Sequence, residues 1–143
     1  MAGFRLGAVL RARKAQEDTA KAAVLRARTQ AGLAAARVGG FERDLDGRDA
    51  PHESAAVSFA ATMSARNALA SALADALGMA GMAEDVVRET SADLTRAAIQ
   101  RRIIEKLEER HAAARRRTGE TADAKAVDDH TTSAYRSPHE EHG

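Results

Sequence analysis

The feature that most constrains this chain is a run from Ser54 to Arg117 with no proline in which apolar residues recur at alternating steps of three and four. Ala56, Phe59, Met63, Ala70, Leu73, Leu77, Ala80, Val87, Leu94 and Ala98 keep this spacing, with Arg66, Glu84 and Ser91 in phase between them. Such a period holds one stripe on one face of a slightly underwound helix, the pattern of a coiled coil. A helix of that span, at ~1.5 Å per residue, is on the order of 90 Å long. It cannot be the centre of a globule and needs a partner along its length.

The first third of the chain supplies that partner. Leu6, Leu10, Arg13, Glu17, Ala20, Val24, Ala27, Ala31, Ala34, Val38, Phe41 and Leu45 continue the three-four spacing without a break, and only Arg13 and Glu17 are polar. Gly39-Gly40 weakens the pattern near its end, by roughly 1 kcal/mol per glycine relative to alanine, so this helix stops at Val38 or frays through to Leu45. Between the two periodic runs lies Asp46 to Glu53, with Gly47 for a turn and Pro51 suited to the first turn of a new helix. Ser54 is a candidate N-cap, and Glu53 sits well beside the positive end of the helix.

The predicted fold is therefore all-α: a single coiled-coil domain over 1–143, built as a long antiparallel two-helix hairpin. Helix 1 covers about 4–45, the turn 46–53 and helix 2 about 54–117. A frayed or disordered tail covers 118–143, where Gly119, several threonines and Pro138 dilute the helical signal. Composition agrees. The chain has three Phe, one Tyr and no Trp, so no large aromatic core is available. With no cysteine, disulfides and cysteine-ligated metals are excluded, and no apolar run approaches the ~20 residues that cross a bilayer. The basic residues interrupting the N-terminal segment leave no continuous hydrophobic signal core, and a soluble cytoplasmic protein is the default.

A turn centred near residue 49 or 50 makes residue i face about residue 99 minus i. Arg13 and Glu84, two charges in the seam, then pair across the hairpin, or else both extend to solvent. Helix 1 runs out opposite residues 93–98, where the pattern of helix 2 shifts phase. Beyond that point Ile103, Ile104, Leu107, His111 and Ala114 form a new stripe, so Arg101 to Arg117 is expected to overhang as a single helix with an unpartnered apolar face. That face is a docking surface, or else the site of self-association or of packing by residues 1–5. Gly78 and Gly81 predict a hairpin that is weak and bent or mobile near 78–82, with Met79 and Met82 as seam filler or as an adaptable contact.

Charge is distributed unevenly. Residues 1–38 carry eight basic and two acidic side chains, 41–100 five and ten, 101–117 seven and three, and the rest two and six. In an antiparallel hairpin the two basic segments share the open end, which suits an acidic protein cavity or a nucleic acid. The scarcity of aromatic rings argues against binding single strands, while duplex or ribosomal RNA stays open as an alternative. A structural homodimeric coiled coil is a third possibility. No catalytic constellation is present and no cofactor is expected. The two glycine pairs lack the Lys-Ser/Thr of a phosphate loop, and His139, Glu140, Glu141 and His142 do not form the His-Glu-x-x-His motif of a zinc helix.

The opening Phe4-Arg5-Leu6-Gly7-Ala8-Val9-Leu10-Arg11-Ala12-Arg13-Lys14-Ala15-Gln16-Glu17 resembles the start of the flagellar FliJ family, with its Phe, apolar residues including a Val-Leu pair, then Arg and Glu. Leu107-Glu108-Glu109-Arg110-His111 resembles that family's Leu-Glu-x-Leu-x-Glu-Arg region, and Asp128-Asp129 stands where its Asp-Glu is found. The resemblance implies an antiparallel coiled coil similar to the central stalk of rotary ATP synthases. It implies no catalysis and a place in flagellar type III protein export. The implied partners are the hexameric export ATPase, the membrane export gate and chaperones of late flagellar subunits, at the inner face of the cell membrane. On that basis Ile103, Ile104 and Leu107 supply apolar contact with the ATPase ring. Arg101, Arg102, Arg110, Arg115, Arg116 and Arg117 supply charge, and Phe4 and Leu6 belong to the same end.

Overall fold

A computed structural model of the chain describes residues 2–48 and 56–135, with side chains described from residue 5 onward. Two α-helices account for nearly all of it: α1, Ala2–Asp46, and α2, Ala56–Tyr135. They pack against each other as a hairpin, and no strand occurs among the described residues. Helix-favouring alanine and arginine fill both elements, and neither contains proline.

The chain divides into two units, one of Met1–Lys14 with Gln100–Gly143 and one of Ala15–Ile99. In the second unit, Val24, Ala27 and Ala31 of α1 and Ala76 of α2 are buried, at 4–6% exposure. Small residues at this seam let the two helices approach closely. Every α1 seam position predicted from the period, from Leu6 to Leu45, is buried or half-buried. Of the two polar ones, Glu17 is 8% exposed and lies 3.6 Å from Lys21 one turn on.

The seam of α2 is only partly the predicted one. Met63, Arg66, Leu73, Ala80, Val87, Ser91, Leu94 and Ala98 are half-buried as expected, but at Ala70, Leu77 and Glu84 the inward residue is the one before. Ala76 is buried at 4% while Leu77 is 52% exposed, and Ala83 is half-buried while Glu84 is exposed. The reason is steric: the inward residue facing the alanines of α1 is the small Ala76, and the larger Leu77 is set to one side. Phe59, at 48% exposure, keeps the phase of Arg66 but lies before the point where the seam engages. With this phase the three-four spacing runs on through Ala97, Arg101, Ile104, Glu108 and His111 with no shift.

The register also differs from expectation. Across the second unit, neighbours have numbers adding to about 113, such as Ala34 with Met79 and Arg37 with Ala76. The change from 99 is two heptads, because the first residues of α2 take no part in the seam. Ala56 to Ala61 at the start of α2 are all exposed, and the seam engages from Thr62 and Met63. At the turn Gly47 N–H donates to Arg43 C=O (2.9 Å), Arg48 N–H to Leu45 C=O (3.3 Å), and the Arg66 guanidinium donates to Arg48 C=O. The expected Pro51, Glu53 and Ser54 helix start lies outside the described residues.

Both helices are longer than predicted. α1 passes through Gly39-Gly40 to Asp46, and α2 passes through Gly78, Gly81 and Gly119 to Tyr135. Around Gly119 the hydroxyls of Thr118 and Thr121 donate to Ala114 C=O (2.9 Å) and Arg117 C=O (2.8 Å), one turn back. These threonines are thus satisfied inside the helix and do not divert the backbone into a turn. Residues 136–143, with His139 and His142, are outside the described residues.

Candidate partner-docking surface

In the unit of Met1–Lys14 and Gln100–Gly143, Leu10 is buried and Leu6 half-buried on α1, and Ile104, Glu108 and His111 to Ala113 are half-buried on α2. Arg13 donates to Oε1 of Gln100 at 2.8 Å. The segment beginning at Arg101 is therefore not without a partner at its start, and the expected pairing of Arg13 with Glu84 does not occur. Gln100 lies sixteen residues beyond Glu84, about 24 Å of helix. From Ala114 to Tyr135 every residue is exposed.

The site residues expected from the sequence separate into two sets. Ile104 and Leu6 lie partly inside the seam, and so does Arg101, whose Nη1 lies 2.5 Å from Oε2 of Glu105. Ile103 is 54% exposed and Leu107 44% exposed. Arg102, Arg110, Arg115, Arg116 and Arg117 are all exposed, and the side chain of Phe4 is outside the described residues. On the helix, Ile103, Leu107, Arg110, Ala114 and Arg117 follow one another at steps of four and three and so share one face. That face is apolar at one end and cationic at the other. It can bury two aliphatic side chains against a partner while the guanidinium groups meet carboxylates.

A second surface, which the sequence indicated only through Met79 and Met82 as an adaptable contact, lies in the unit Ala15–Ile99. A shallow groove runs between the helices, lined on α1 by Ala23, Arg26, Gln30, Leu33 and Arg37 and on α2 by Ala72, Asp75, Met79, Val86 and Thr90. Met79 and Met82 are not seam filler: they are 56% and 65% exposed. These positions flank the seam, and a corrected α2 phase is the signal that identifies them.

Among the described residues no group of three or more His, Asp or Glu is placed to hold a metal ion, and no helix is long and apolar enough to cross a membrane. The fold and its exposed faces define a coiled-coil hairpin protein. The model of the family described as "Flagellar FliJ protein" matches residues 1–140. The chain belongs to the FliJ family, and its role is accordingly in flagellar export. No curated protein and no solved structure matches it.

Proposed function

We propose that this chain is a non-enzymatic component of the flagellar type III export apparatus. It docks on the hexameric export ATPase through the exposed face of α2 that carries Ile103 and Leu107, and it escorts or recycles export chaperones. It works in the cytoplasm, bound peripherally at the inner face of the membrane beside the export gate. The observation that supports this reading is the face of Ile103, Leu107, Arg110 and Arg117, exposed on a continuous helix in a member of the FliJ family. Two aliphatic side chains give affinity by leaving water, and the arginines give orientation toward an acidic surface.

The test is co-purification with the flagellar export ATPase of the same organism, together with its ATPase activity. The full chain is compared with a variant carrying Ile103→Asp and Leu107→Asp. Binding and altered activity with the wild type, both lost in the variant at unchanged helicity, is the expected result. Absence of binding by the wild-type chain sinks the ATPase assignment. A nucleic-acid partner would instead show binding to duplex or ribosomal RNA that collapses steeply with added salt.

A further inference from the structure

The groove of the second unit has one basic wall and one acidic wall. On α1, Arg26 and Arg37 stand either side of Gln30 and Leu33. On α2, Asp75, Met79 and Val86 line the groove, and heptad spacing from Asp75 sets Met82 and Glu89 on the same flank. All nine side chains are exposed. Arg37 lies over the Phe41 ring, its guanidinium carbon 6.0 Å from the centroid, which holds it at the groove. None of the four charges is ion-paired among the described residues.

We infer that this face binds a second copy of the chain, groove to groove, about a two-fold axis parallel to the helices. Such an axis sets α1 of one copy antiparallel to α2 of the other and keeps every residue at its own height. Within one chain Arg37 is level with Ala76, and Arg26 is level with the stretch from Val86 to Thr90. In the pair, Arg37 therefore meets Asp75 of the second copy, and Arg26 meets Glu89 of the second copy. Leu33 meets Met79 and Met82 of the second copy between these charges. Each contact occurs twice, and the result is a four-helix bundle in which every neighbouring pair is antiparallel. A two-fold axis across the helices is disfavoured, because it sets α1 against α1 and brings arginines together. Charges flanking a seam select partner and orientation in this way in coiled coils generally.

The first experiment is sedimentation of the full-length chain over a concentration series to about 100 µM, a range that detects a micromolar dimer. The expected result is a mass rising toward twice that of the chain. A monomer throughout overturns the inference. The second uses Arg37→Asp and Asp75→Arg as two separate proteins, with helicity checked by circular dichroism. Each alone sets like charges opposite one another twice per dimer, and dimerisation weakens roughly tenfold or more. An equimolar mixture pairs opposite charges at both contacts, so the dimer returns as a heterodimer. A folding defect is not repaired by mixing. Unchanged dimerisation of the single variants places the interface elsewhere, and a mixture that stays monomeric refutes the two-fold geometry.

Discussion

Arg13 of α1 donates a hydrogen bond to the side-chain oxygen of Gln100 of α2 over 2.8 Å, joining residues 87 apart in the chain. Arg13 occupies a seam position that would otherwise be apolar, so this bond satisfies a half-buried cation. In a double-mutant cycle with alanine at both positions, unfolding in urea gives a coupling of about 0.5–1.5 kcal/mol. The same cycle between Arg13 and Glu84 gives a coupling near zero. A larger coupling to Glu84 than to Gln100 would restore the shorter register.

The phase of the α2 seam has its own test. Ala76 is 4% exposed and Leu77 52% exposed, although leucine is the more hydrophobic. Ala76→Leu forces the helices apart where Ala76 packs beside Ala34 and Arg37 of α1, and lowers stability by about 1–3 kcal/mol. Leu77→Ala removes a mostly solvated side chain and changes stability by about 0.5 kcal/mol or less. Thermal or urea denaturation of the two variants separates the phases, and the opposite order of effects would reinstate Leu77.

These two cases show what was legible in the chain. The period of α1 identified its whole seam, because one apolar residue stood at nearly every position. In α2 alanine is so frequent that two adjacent residues qualified at many turns. Hydrophobicity then selected Leu77 where close packing selects Ala76. The register error followed from periodicity itself, since a slide of two heptads leaves every seam residue a seam residue. Only the length of the turn separates the alternatives, and a short polar turn carries no signature of it. The exposure of the proposed docking residues was half legible. Ile103 and Leu107 are exposed as anticipated, but Ile104, beside them in sequence, faces the seam.

Ile104 and Ile103 therefore have opposite consequences when altered. Ile104→Asp places a carboxylate in a half-buried seam position across from α1, and destabilises by about 1–3 kcal/mol. Ile103→Asp adds charge at a residue already 54% exposed and leaves the melting transition nearly unchanged. Circular dichroism melts of the two single variants check this. Equal losses of stability would mean that both side chains are packed, and that neither is available to a partner.

The glycines of α2 give the last prediction. Gly78 and Gly81 lie inside an unbroken helix on exposed positions, and a Cβ built at either meets nothing within 4 Å. Neither is needed for a turn or a close approach, so each contributes only the entropic weakness of glycine in a helix. Alanine at either position is expected to raise stability by about 1 kcal/mol, and the two effects to add approximately. Gly119 is equally open, and Gly119→Ala is expected to increase helicity in the exposed stretch after Ala114. Denaturation midpoints and ellipticity at 222 nm report the two effects separately. A loss of stability on replacing Gly78 or Gly81 would show that the helix bends there in solution. In that case the groove beside Met79 would be shaped by the bend.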